Sequence, residues 1–99
     1  MNNAEYLWFV YMLRCVDGSL YTGITTDLQR RLDQHNQGTG AKYTRSRRPV
    51  SLLYSQSCCS QSEALKREHA IKRMSSKDKW TLIEQSNASD SSDPSGAVK

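Results

Sequence analysis

Ninety-nine residues, 36% of them hydrophobic, at a mean hydropathy of −0.74, suffice for one small domain with one modest core and exclude a multidomain machine. The longest apolar run, Tyr6 to Leu13, falls far short of the roughly 20 residues a spanning helix needs, and with Glu5 before it and Arg14 and Asp17 behind it no secretory leader is expected. The formal charge of +4 is uneven: through Ile83 thirteen cations face seven acids, a balance of +6, and from Glu84 onward three acids face Lys99 alone, a balance of −2.

A folded part this basic points to a polyanionic partner such as nucleic acid, with a merely solvated basic surface as the plain alternative. Cys15, Cys58 and Cys59 are odd in number and lack C-x-x-C spacing, which fits a reduced, cytoplasmic setting.

From the N-terminus, Leu7 to Cys15 is aromatic, β-branched and almost continuously apolar, the pattern of a strand buried on both faces. Asp17-Gly18 signals a hairpin, and Leu20 to Thr25 reads as the return strand. Gly23 within it marks a bulge or a close approach to the backbone. Thr26-Asp27-Leu28-Gln29 has capping-box form, with Thr26 at the cap of a helix running to about Gln37 and stopped by Gly38-Thr39-Gly40. Ala41 to Pro49 contains Lys42, Arg45, Arg47 and Arg48 without an acid and reads as a basic loop, followed by a short third strand over Val50 to Ser55. Ser60-Gln61-Ser62-Glu63 is a second capping box, for a helix reaching about Met74. Ser75 or Ser76 caps a shorter helix carrying Trp80, Leu82 and Ile83. The tail, 85–99, is too polar to offset its ordering entropy and is expected to be disordered, leaving a folded domain over 6–84.

Helical spacing singles out several polar residues. In the first helix Leu28 and Leu32 define the buried stripe, and Arg31 and His35 lie along the same side. In the second long helix Ala64, Glu68 and Ile71 share a face, so Glu68 points inward while Lys66, His69 and Arg73 point out. An inward carboxylate is costly unless it is paired or binds a metal; a buried ion pair, Arg31 being one candidate partner, is the plain alternative. Tyr11 and Tyr21 are strand tyrosines whose cooperation depends on the hairpin. A two-residue loop puts them on opposite faces, and a three-residue loop with a glycine bulge puts them on one.

Phe9-Val10-Tyr11, then Tyr21-Thr22-Gly23 ten residues on, then Arg31, then an inward Glu68 ahead of Ile71-Lys72: this order and spacing resembles the GIY-YIG nuclease family, most of all the small bacterial proteins that consist of this domain alone. The resemblance covers about residues 6 to 84. It implies an α/β (α+β) fold, a small three-stranded antiparallel sheet flanked by about three helices, and metal-dependent endonucleolytic cleavage of DNA, as in DNA repair or recombination. Tyr11 and Tyr21 take the places of the two motif tyrosines, Arg31 that of the helix arginine, His35 that of a Tyr or His four residues later, and Glu68 that of the single metal-binding glutamate. The pattern departs from the family at Phe9-Val10 and Thr22, where Gly-Ile and Ile are usual. Ile24 stands where some members carry lysine, and no asparagine follows Glu68 before Asn87.

One carboxylate with waters and substrate oxygens suits a single Mg²⁺ or Mn²⁺, and a permanently charged guanidinium suits the phosphate. For the general base the resemblance favours Tyr11, although bringing a phenol from pH 10 to pH 7 costs roughly 4 kcal/mol, with Arg31 and the metal acting in that direction. Tyr21 is a second candidate, and His35, ordinarily near 6.5, is intrinsically the easier base. Lys42, Arg45, Arg47 and Arg48, with Tyr43 stacking on a base, are the expected nucleic-acid contacts, to DNA or RNA and with little sequence specificity. The competing function is a nucleic-acid-binding module that lacks catalysis or needs a partner protein for it.

Overall fold

The structure is a computed structural model, in which residues 7–91 are described. Its order is β1 (Trp8–Arg14), β2 (Leu20–Thr25), α1 (Leu28–Gln37), α2 (Lys42–Arg45), β3 (Ser51–Cys58), α3 (Gln61–Lys72) and α4 (Ser76–Ser91). The strands form one antiparallel sheet in the order β2-β1-β3. As the middle strand, β1 buries Val10, Tyr11, Met12 and Leu13 in succession, which is why its sequence is continuously apolar instead of alternating.

The pleat sorts β1 into two cores. Val10 and Met12 join Tyr54, Cys58, Ala64, Ile71 and Ile83 under α3 and α4. Tyr11, Leu13 and Cys15 join Val50 on the other face, where Leu28 and Leu32 of α1 pack. The sheet is thus sandwiched between α1 and the α3–α4 pair. Among the described residues no helix is long and apolar enough to cross a membrane.

The β1–β2 turn settles the question of the two tyrosines. Cys15 donates to the Ser19 carbonyl at 2.8 Å and Gly18 to the Cys15 carbonyl at 2.9 Å, enclosing the three residues Val16-Asp17-Gly18. Gly18 has φ +87°, the left-handed conformation that closes such a loop and that side chains resist. The odd length sets Leu13 opposite Tyr21, so Tyr11 and Tyr21 occupy the same face.

Several boundaries differ from those read in the sequence. Helix α1 is capped by Asp27, whose carboxylate accepts from the Arg30 amide at 3.0 Å, and not by Thr26. An aspartate caps better than a threonine, so the cap moves one residue. Residues 42–45 of the expected basic loop form a helical turn, α2. Strand β3 runs three residues past Ser55, because Gln56–Cys58 still pair with Trp8–Val10; an edge strand open to solvent on one side carries polar residues that mask it. The Ser60 hydroxyl caps α3 by accepting from the Glu63 amide at 3.1 Å, and the Glu63 carboxylate accepts in return from Cys59 instead of the cap residue. Helix α4 continues to Ser91, through the first residues of the tail expected to be disordered from 85. Residues 92–99, and Tyr6 at the other expected boundary, lie outside the described residues.

Candidate active site

Tyr11 is the hub of the site. Its ring lies against β2 at Gly23, where a Cβ would stand 2.6 Å from the phenol oxygen and 2.8 Å from the carbon bearing it. Only a residue without a side chain leaves that room. Across the same face α1 presents Arg31 and His35 one turn apart. The phenol oxygen is 2.9 Å from His35 Nε2 and accepts a longer bond, 3.4 Å, from Arg31 Nε. Arg31 also donates to Gln34 Oε1 at 3.0 Å and to the Gly40 carbonyl at 3.1 Å, so its guanidinium is held at three points. Tyr21 completes the cluster, its ring edge-on to His35 with centroids 5.2 Å apart and tilted 44° to Tyr11 at 6.4 Å.

Burial changes the chemistry expected of two of these groups. His35 has no exposed surface, and desolvation, with Arg31 adding repulsion, lowers its pKa from 6.5 to about 4. The ordinary imidazole expected from the sequence is therefore corrected. The ring is neutral at pH 7, and both its nitrogens are hydrogen-bonded, one to Tyr11 and the other, Nδ1, to Thr44 Oγ1 at 2.8 Å. For Tyr11, burial raises the phenol above its usual value; the hydrogen bond and charge of Arg31 pull it down, while Tyr21 and Glu68 push it up. In the free chain burial outweighs the guanidinium, and Tyr11 is a phenol at neutral pH.

Glu68 comes from the opposite layer, on α3, with a side chain 13% exposed and bonded to Lys72 Nζ at 3.1 Å. Its charge is felt by Tyr11. The alternative partner, Arg31, is committed to Tyr11, Gln34 and Gly40, so the carboxylate is not sealed by it. Among the described residues no three His, Cys, Asp or Glu side chains gather as a metal cluster. Two clefts reach the rim of the cluster at Arg31 and at Tyr21, while Tyr11 and His35 lie buried behind them and neither cleft is lined by Glu68. Arg31 lines one of about 280 Å³ with Trp8, Thr25, Arg30 and Gln34. Tyr21 lines another of about 230 Å³ with Tyr43, Lys72 and Lys79.

The basic segment divides into free and committed cations. Lys42 and Arg45 are exposed, without side-chain hydrogen bonds or ion pairs among the described residues. Arg47 instead donates to Asp17 Oδ2 at 3.1 Å and to the Tyr43 carbonyl at 2.8 Å. Arg48 donates to the carbonyls of Arg45 and Asn36 at 2.9 and 3.2 Å. Tyr43, expected to stack on a base, is exposed, with its ring stacked 6.0 Å from Tyr21 and Arg47 over it at 3.9 Å. Lys72 was legible as the i+4 partner of Glu68, but Lys79 and Thr44 carried no sequence signal, since what places them is tertiary.

These features agree with what the chain is similar to. The family described as the GIY-YIG catalytic domain matches residues 7–82. A UPF0213 protein of Desulfotalea psychrophila is 56% identical over 80 residues, covering 80% of this chain and 73% of its own. One of Halobacterium salinarum is 53% identical over 74 residues, covering 75% and 96%. The solution structure of the UPF0213 protein from Bacillus halodurans is 43% identical with a TM-score of 0.53, covering 80% of this chain and 84% of that one. That of a protein from E. faecalis is 44% identical at 0.55, covering 83% and 88%. With its three-stranded antiparallel sheet, its paired tyrosines and more than three quarters of its length matched, the chain belongs to the GIY-YIG nuclease family.

Proposed function

We propose that the chain is a divalent-metal-dependent endonuclease hydrolysing DNA phosphodiester bonds with little sequence specificity. The observation that carries this is the phenol of Tyr11 bonded to both His35 and Arg31, the guanidinium of Arg31 lining an open cleft. Hydrolysis needs a water relieved of a proton, a phosphoryl group whose charge is balanced, and a leaving oxygen. A water beside Tyr11 gives its proton to the phenol oxygen as the phenol's own proton passes to His35 Nε2. The resulting hydroxide adds to phosphorus while the bond to the departing 3′ oxygen breaks, and that oxygen takes a proton from solvent. Negative charge arriving with the phosphate favours the imidazolium and offsets the burial that opposes it. Arg31 has used three of its five N–H groups on the protein, which leaves two for the phosphate.

A single, partly exposed carboxylate is the donor set that a hard cation uses when waters and substrate oxygens fill the other positions, so Glu68 fits Mg²⁺ or Mn²⁺. The chemistry such an ion supplies when bound is neutralisation of charge on the phosphate and the leaving oxygen. Lys42 and Arg45 on one side, and Lys79 in the cleft with Tyr21, offer contacts to flanking phosphates, which supports binding without base recognition.

The test is cleavage of single-stranded, duplex and branched DNA in Mg²⁺ or Mn²⁺. Tyr11→Phe, Arg31→Ala and Glu68→Gln are each expected to slow it at least ~100-fold. Cutting that survives all three overturns the proposal, and salt-sensitive binding without cutting selects a non-catalytic nucleic-acid-binding module.

A further inference from the structure

Thr44 sits in α2 with no exposed surface, and its hydroxyl touches two groups: His35 Nδ1 at 2.8 Å and the Ala41 carbonyl at 3.2 Å. A threonine hydroxyl has one proton to give, and a neutral imidazole has one N–H. The row Arg31, Tyr11, His35, Thr44, Ala41 therefore admits two proton arrangements. If Thr44 donates to Nδ1, then Nε2 carries the ring proton and points it at Tyr11. The phenol oxygen then faces two donors, Arg31 Nε–H and Nε2–H, and its own proton has no acceptor among the described residues. If Thr44 donates to Ala41, it accepts from Nδ1–H, Nε2 is bare, and Tyr11 donates to it. Each donor then has an acceptor: Arg31 to Tyr11, Tyr11 to His35, His35 to Thr44, Thr44 to the backbone. A buried network favours the arrangement that leaves no donor unpaired.

We propose that Thr44 is a positioning residue, which by donating to the Ala41 carbonyl holds His35 in the Nδ1–H tautomer and so keeps Nε2 bare toward the Tyr11 proton. The tautomer assignment stands on the hydrogen bonds alone; its catalytic consequence rests on the nuclease reading above. A histidine whose distal nitrogen has no acceptor presents the wrong nitrogen to its reaction partner, however well the ring is placed. Thr44 reaches neither Tyr11 nor the substrate clefts and acts only through His35. The groups facing His35 are Tyr11 from β1, Tyr21 from β2, Arg31 on its own helix and Thr44 from α2. None of the others offers Nδ1 an acceptor.

Imidazole ¹⁵N NMR of the folded, full-length chain tests this at pH 7 without substrate or metal, His35 being told from exposed His69 with a His69→Gln variant. The wild type is expected to show a pyrrole-type Nδ1 and a pyridine-type Nε2. Thr44→Val, which keeps the shape and removes the hydroxyl, is expected to move the proton to Nε2, and Thr44→Ser to restore the wild-type pattern. DNA cleavage is expected to fall at least ~10-fold in Thr44→Val and to recover in Thr44→Ser. A wild-type His35 protonated at Nε2, or a tautomer unmoved in both variants, overturns the proposal. Should the tautomer respond as expected while the wild type fails to cut any DNA, the nuclease reading falls and the assignment of Thr44 stands.

Discussion

His35 is buried between a phenol and a threonine hydroxyl, and the energetic consequence is separable from catalysis. The unfolded imidazole takes up a proton near its ordinary 6.5, whereas the folded one resists until about 4. Its contribution to stability is therefore fully present above pH 6.5 and lost as the pH falls from 6.5 toward 4, a loss of roughly 3 kcal/mol. Urea midpoints measured across that window are expected to fall with acidity in the wild type and far less in His35→Gln. At Gly23 a comparably local change acts on the phenol. A methyl group there meets the phenol oxygen at 2.6 Å, so Gly23→Ala is expected to displace Tyr11 and cut the cleavage rate by ~100-fold or more, of the order lost with a general base. Circular dichroism should still report the native fold; a Gly23→Ala variant that cuts DNA as fast as the wild type would mean that Tyr11 does not work from its place against Gly23.

At the scale of elements, α1 matters most, because it carries Arg31 and His35 one turn apart and its first turn is held by Asp27. Asp27→Ala is expected to cost about 1 kcal/mol, against less than 0.5 for Thr26→Ala, measured as shifts of the urea midpoint. Equal losses from the two would restore Thr26 as the cap. The same helix marks what the sequence makes legible and what it hides. The leucines of α1, the serine cap of α3 and the unbroken apolarity of β1 are local patterns, each dictated by the face an element buries, and they located the sheet and the long helices; of the five candidate site residues, helical spacing put Arg31 and His35 on one side of α1, and the structure brings both to Tyr11. Helix α2 has no such pattern. Its four residues turn because Thr44 docks on His35 and Tyr43 on Tyr21, contacts that exist only after the chain has folded. The perturbed His35 and the covered face of Tyr43 were hidden for the same reason, since burial and ring neighbours belong to tertiary packing.

Across the whole molecule, not every basic residue has a guanidinium or ammonium group free for a partner. Arg47 and Arg48 lie in the most basic stretch of the sequence, yet their guanidinium groups bind Asp17 and the carbonyls of Tyr43, Arg45 and Asn36, tying the β1–β2 turn and the end of α1 to the segment before β3. Lys42 and Arg45 are exposed beside them, and Lys72 and Lys79 line the cleft near Tyr21. Each cation that displaces a counterion from duplex DNA adds ~0.9 to the slope of log affinity against log salt, whereas a cation spent on the protein's own carbonyls adds none. Substituting Lys42 and Arg45 together with Gln is thus expected to lower that slope by about 2 and leave the unfolding midpoint unchanged. Arg47→Gln and Arg48→Gln should do the reverse, keeping the slope and lowering the midpoint, since the carbonyls they bridge lose their donors. A slope that also falls by about 1 in Arg47→Gln and in Arg48→Gln would show that these arginines release their intramolecular partners to bind DNA, and that the basic segment rearranges when the substrate arrives.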